Sequence, residues 1–122
     1  MDDFSIKDKM RLIQEIVPGK QITLAHVIAN PEKTLYSKLG LEFGDGVAKN
    51  AIGIVTISPA ETAIIAGDIA IKASGTEIGF VDRVSGTLII TGTVSQVESA
   101  MEAVCKYCTE TLGFTVCPIT KT

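Results

Sequence analysis

The sequence predicts an α+β domain in which helices pack on a sheet, and three observations carry that class. Strand-like and helix-like segments follow in the order strand, strand, helix, strand, helix, strand, strand, helix, strand. Glycine, proline and capping residues punctuate them at the places where elements must end. The 122 residues, 46% hydrophobic but only 5% aromatic, are enough for one aliphatic core and leave little room for a second domain.

Taken in order, residues Met1 to Lys9 are polar and mixed in charge and read as an N-terminal arm, residues 1–10. Arg11-Leu12-Ile13-Gln14-Glu15-Ile16-Val17 is extended in character and ends at the turn signal Pro18-Gly19, so residues 11–19 form a short strand set apart from the domain at 20–122. Gln21 to Ile28 is a strand, with Ile22, Leu24, His26 and Ile28 expected on one face. Asn30 as N-cap and Pro31 at the first helical position open a short helix that Gly40 stops, and Glu42 to Asn50 is a loop. Ala51 to Ile57 is near-continuously apolar, the pattern of a strand buried on both faces.

Ser58-Pro59-Ala60-Glu61 has the spacing of a capping box, with a helix expected to Ser74 and Gly75 ending it. Ala63, Ala66, Gly67 and Ala70 make a small-residue stripe, with Ile65 and Ile69 on another side. Such a helix lets a neighbour approach closely on one face and packs a sheet with the other, and its few charges point to a subunit contact. Thr76 to Asp82 and Thr87 to Thr91 are strands of a hairpin turning at Arg83-Val84-Ser85-Gly86. A last helix starts at Thr93 or Ser95, carries the apolar stripe Val97, Ala100, Met101, Val104, Cys108, Leu112, and ends before Gly113. Phe114 to Ile119 is a strand interrupted by Pro118, hence an edge or a tail.

Charge and chemistry exclude more than they suggest. Eleven Lys and Arg against 14 Asp and Glu give a formal charge of −3 without a basic stripe, which disfavours nucleic acid as a partner. The acidic start is no secretory signal and no run approaches the ~18 apolar residues of a membrane span, so no membrane is expected and the chain should stay in the cytosol. Three cysteines do not form a disulfide framework. Cys105-Lys106-Tyr107-Cys108 is a C-x-x-C, but only Cys117 and the lone His26 remain to complete a zinc site, and the pair lies deep in a helix; buried structural thiols are favoured over a metal or redox role. His26 has no partner at a catalytic spacing and reads as a core or interface histidine. Asp68 and Lys72, four apart, read as a weak surface pair. No nucleotide-loop, dinucleotide or zinc-protease motif is present, so neither an enzyme nor a cofactor is expected.

What goes further is resemblance. Ala51-Ile52-Gly53-Ile54, the small-residue helix through Asp68 and Lys72, Ile78 to Thr87 and Thr91-Gly92-Thr93-Val94 resemble a bacterial microcompartment shell (BMC) domain. The strand and short helix that close the chain in the ordinary family order stand first here, at Ala25 to Pro31. The order is that of the circularly permuted branch, with stretches similar to its propanediol-, ethanolamine- and choline-utilisation members at Ile13-Gln14-Glu15, Val17 to Gln21, Leu24-Ala25-His26 and Cys117 to Thr122.

That resemblance implies a ferredoxin-like sheet with helices, assembled as a flat homohexamer that tiles with other shell proteins around encapsulated enzymes in the bacterial cytoplasm. It places Asp82, Arg83, Val84, Ser85 and Gly86 around the sixfold pore, and Lys72 at the hexamer edge. Asn30 stands where many members carry an edge arginine. Six copies of Arg11, Leu12, Ile13, Gln14, Glu15, Ile16 and Val17 would form a small β-barrel lid over the pore. The alternative is a metabolite-sensing α+β regulatory domain, dimeric or trimeric, since folds of this size also bind ligands between subunits. A weaker idea is a metal centre involving Cys117 near the axis.

Overall fold

The computed structural model describes residues 19–41 and 51–122. The expected arm and lid strand at residues 1–17 and the loop at 42–50 lie outside the described residues. Within them the α+β class holds: β1 (Gln21–Ile28), α1 (Lys33–Lys38), β2 (Ala51–Ser58), α2 (Thr62–Ser74), β3 (Glu77–Asp82), β4 (Thr87–Gly92), α3 (Val94–Glu110), β5 (Thr115–Val116) and β6 (Thr120–Lys121). One mixed sheet runs β3-β4-β2-β1-β5, with β6 also on β1. The β1–β2, β2–β4 and β3–β4 pairs are antiparallel, whereas β5 and β6 run parallel to β1.

Helices α2 and α3 cover one face of the sheet and build the core with Ile22, Ala25, Val27, Val55, Ile57, Leu88 and Ile90. The α3 stripe is as the sequence predicts: Val97, Ala100, Met101, Val104 and Cys108 are all fully buried, with Leu112 packed at the margin. Thr93 is the N-cap and forms a full capping box with Gln96, an arrangement that contributes about 1 kcal/mol. The helix itself ends at Glu110, two residues short of the expected Leu112.

Several local expectations fail for physical reasons. A bulge between Ile22 and Leu24 resets the alternation of β1, so Ile22, Ala25 and Val27 face the core instead of an Ile22, Leu24, His26, Ile28 face. Helix α1 begins at Lys33 with Glu32 at its N-cap, so Asn30 and Pro31 belong to the approach and not the first turn. The Ser58 to Glu61 capping box is not formed: Ser58 completes β2, and the amides of Thr62, Ala63 and Ile64 bond back to the carbonyls of Pro59, Ala60 and Glu61. β2 is buried on both faces only at Ala51, Ile52 and Gly53, then alternates.

The other face of the sheet is covered at one end by α1. Tyr36 is buried there and hydrogen-bonds to the Thr91 side chain; burial raises its phenol above the ordinary range, against the effect of that bond. Leu41 lies over Gly79 so closely that a Cβ on Gly79 would overlap it.

Candidate functional site

The two ends of the sheet have different character. At one end, Gln21 opens β1 opposite Ser58, the last residue of β2. The Ile57 amide donates to the Gly86 carbonyl, tying the β3–β4 turn to the same end. Residues 83–86, the N-terminus of α2 and the point where the chain enters the domain at Gly19 therefore lie together. At the other end are Ile28 opposite Ile52, and Ala51 opposite Gly92. Helix α2 finishes there, because the Ser74 hydroxyl donates to the Gln96 carbonyl in the first turn of α3. Asn30 and Lys72, far apart in sequence, thus fall at the end opposite the turn.

The turn is held by its own polar groups. The Val84 amide donates to Asp82 Oδ1 at 2.9 Å and the Gly86 amide to the Asp82 carbonyl at 2.9 Å. The Val84 amide, followed by Ser85, holds the Asp82 carboxyl below its usual range. Ser85 Oγ donates to Thr87 Oγ1 at 3.0 Å. Gly86 has φ 77°, and a Cβ there would overlap the Ile57 carbonyl oxygen. This leaves Arg83 exposed and Val84 82% exposed, an apolar side chain presented at the apex of a rigid turn.

Lys72 is exposed and its Nζ lies 2.8 Å from Asp68 Oδ2, one helical turn back, which raises the lysine's pKa. The surface pair expected from the spacing is therefore formed. Asn30 is exposed beside the buried Pro31.

The feature that sequence reasoning missed is the outward face of α2. Its small stripe, Ala63, Ala66, Gly67 and Ala70, is buried within the domain, and the close neighbours are α3, β3 and β4 of the same chain. Ile69 packs on the core, but Ile64, Ile65 and Ile71 are exposed together with Asp68 and Lys72. The adjoining strand β3 is the outermost of the described strands on its side of the sheet and exposes Ile78, Phe80 and Val81, Phe80 at 49%. A single chain seldom leaves so many apolar side chains of one strand exposed beside three exposed isoleucines. The signal in the sequence was Ile64-Ile65 and Ile69 to Ile71, apolar residues on more sides of the helix than one core can bury.

The cysteines and histidine are accounted for without catalysis. Cys108 is buried, Cys105 and Cys117 half-buried, and all three are free. Burial, with Cys117 and then Cys108 adding to it, pushes the Cys105 thiol up to about 11. His26 stands on the outer face of β1, where Nδ1 is 2.6 Å from Thr120 Oγ1 and Nε2 2.9 Å from Thr122 Oγ1. It clasps the C-terminal segment, an interaction foreshadowed only by the alternation of Thr120 and Thr122. Among the described residues no group of three or more His, Cys, Asp or Glu could hold a metal ion, and no helix is long and apolar enough to cross a membrane.

Comparison with known proteins accords with this geometry. The BMC domain family matches residues 51–120. The chain is 55% identical over 112 residues to the bacterial microcompartment shell protein PduU of Salmonella typhimurium, covering 92% of this chain and 93% of that protein. It is 49% identical over 114 residues to the shell protein EutS of Escherichia coli, covering 93% and 98%. Among solved structures, a CutR flat hexamer superposes with a TM-score of 0.80 at 47% identity, over 89% of this chain and 96% of that one. A domain match over more than half the chain, and relatives near half identity over nearly all of it, lead to one conclusion: the chain belongs to the BMC-domain family of bacterial microcompartment shell proteins.

Proposed function

We propose that the chain is a structural tile of a bacterial microcompartment shell, a cyclic hexamer in the bacterial cytoplasm that packs edge to edge with other shell proteins around encapsulated enzymes and has no reaction of its own. The observation that carries this is the exposed apolar surface of Ile78, Phe80 and Val81 on β3 beside the exposed isoleucines of α2, a surface suited to another copy of the chain. The homologous CutR is known as a flat hexamer, and no observation favours the sensory-domain alternative.

The opposed ends of the sheet support the assignment of pore and rim. With Asp82 to Gly86 directed at the sixfold axis, Lys72 and Asn30 fall at the periphery, where lateral contacts between hexamers form. Asn30 supplies no charge there, so the lysine stem and its hydrogen bonds carry more of the contact. β1 and α1 precede the segment matched by the family, and β1 nonetheless lies inside the sheet beside β2, which supports the circularly permuted order.

The lid formed by Arg11 to Val17 is part of the same proposal. Its support is that the chain enters β1 at the end of the sheet that carries the pore turn, so a preceding strand starts next to the axis. A lone strand leaves its ladder unpaired, and six related by symmetry can close on themselves. Such a lid would restrict free passage through the pore.

Native mass spectrometry tests the tile: the expected species is about 77 kDa, six times 12.9 kDa. Mainly monomer or trimer at micromolar concentration would overturn it. Deleting residues 1–17 should leave the hexamer intact, and Lys72→Asp should leave hexamers while abolishing sheets seen by electron microscopy. Sheets from the Lys72→Asp protein equal to those of the parent would remove the edge assignment.

A further inference from the structure

Two half-buried thiols that the shell role does not use, Cys105 on α3 and Cys117 on the C-terminal segment, pack on the margin of the same core cluster. The segment runs back along the helix between two tethers. The Phe114 amide donates to the Cys108 carbonyl at 2.8 Å, and Lys121 Nζ lies 3.1 Å from Glu98 Oε2. Cys117 lies between the two tethers, and it is close enough to Cys105 to add to the upward push on that thiol. Val104 is fully buried in the core, whereas Cys105 and Cys117 are both half-buried and pack on the margin of the same cluster. The segment there is held by short ladders: β5 has two residues, Pro118 interrupts it, and the Cys117 amide bonds to the Ile22 carbonyl.

We propose that Cys105 and Cys117 are a modification site, a dithiol that closes to an intrachain disulfide and staples the C-terminal segment to α3. The oxidant is a low-molecular-weight disulfide. One cysteine thiolate attacks it, forming a mixed disulfide and releasing one small thiol. The second cysteine thiolate displaces the other small thiol and completes the Cys105–Cys117 bond. The two cysteines lose two protons and two electrons in all, and the small disulfide is reduced to two thiols.

Cys108 does not compete, because it is fully buried on the core stripe and lies on the same helix one turn along. The bond requires the two Cα atoms to come within about 7 Å. Thiolate is the attacking species, so closure should speed up between pH 7 and 9, consistent with a Cys105 thiol that burial keeps protonated at neutral pH. Closure would fix the strap that His26, Thr120 and Thr122 otherwise hold by hydrogen bonds.

The test is treatment of the full-length protein with oxidised glutathione at pH 8.5, read by intact mass under denaturing conditions. The expected product has lost two hydrogens, migrates as a monomer, and survives in Cys108→Ala but not in Cys105→Ser or Cys117→Ser. Hydrogen exchange at residues 115–122 should slow on the order of tenfold in the oxidised protein. If Cys108→Ala does not fold, the two serine variants still decide. Loss of two hydrogens that persists in Cys117→Ser would mean a Cys105–Cys108 bond and would overturn the proposal. So would glutathione adducts without closure, a covalent dimer, or no reaction.

Discussion

Gly86→Ala should damage this protein more than the same exchange at any other described glycine with positive φ, and the structure gives the size. Two costs combine. The residue has φ 77°, a left-handed conformation that costs an L-residue about 1–2 kcal/mol. A Cβ would also overlap the Ile57 carbonyl oxygen and come within 3.1 Å of the Ala60 Cα, both backbone atoms that cannot swing aside. Relieving the overlap moves the turn off the end of β2 and breaks the hydrogen bond from the Ile57 amide to the Gly86 carbonyl, worth about 1 kcal/mol. The sum is about 3 kcal/mol, on the order of 10 °C in melting temperature for a domain of this length.

Gly113→Ala is the control that separates the two costs. Gly113 has φ 72°, but nothing lies within 4 Å of the position a Cβ would take, so only the conformational cost of about 1–2 kcal/mol applies. Both variants should be melted at one protomer concentration, because assembly makes the midpoint concentration-dependent. Equal melting temperatures for the two, or Gly86→Ala within about 2 °C of the parent, would refute the reasoning.

Two further outcomes follow from the same geometry. His26→Phe removes both hydroxyl contacts to Thr120 and Thr122 while keeping a ring of similar bulk. Hydrogen exchange at residues 115–122 should accelerate on the order of tenfold with the α3 amides unchanged. Asp82 has its pKa depressed in the folded protein by the Val84 amide and then Ser85, so its contribution to the turn is present above the unfolded carboxyl value and lost as pH falls through the folded value. Thermal scans from pH 7 down to about 3 should show a low-pH loss that Asp82→Asn shares less.

The elements were legible where local chemistry and tertiary packing agree. Thr93 with Gln96, the α3 stripe and the glycine of the Arg83 to Gly86 turn all act within a few residues, and the structure has them as the sequence reads. The failures arose where a distant partner decides. The β1 bulge adjusts one strand to its pairing with β2, and nothing in residues 21–28 announces it. Ser58 and Glu61 have the spacing of a cap, but Ser58 is taken by the sheet. Neither the parallel pairing of β5 and β6 nor the clasp of His26 on Thr120 and Thr122 could be read locally, because each joins segments more than 90 residues apart. The proximity of Gly86 to β2, and of Asn30 and Lys72 to one end, likewise exists only in the fold.

Helix α2 shows how an error about one face changes the account of assembly. A stripe of small residues in a helix with few charges suggests that another subunit approaches along that stripe. The structure turns the helix the other way: Ala63, Ala66, Gly67 and Ala70 admit α3 and the sheet, with the Gly67 Cα facing Ile78 closely enough that a Cβ would reach within 2.8 Å of its Cδ1. The large side chains Ile64, Ile65 and Ile71 are thereby left outside. At about 25 cal/mol per Å2 of apolar surface, three isoleucines and Phe80 withdrawn from water by a neighbouring copy would each contribute on the order of 1 kcal/mol per subunit. Repeated around a closed ring, that gain would fall on an interface every subunit uses twice, so the same packing that turns large side chains outward would favour the assembled state over the free chain.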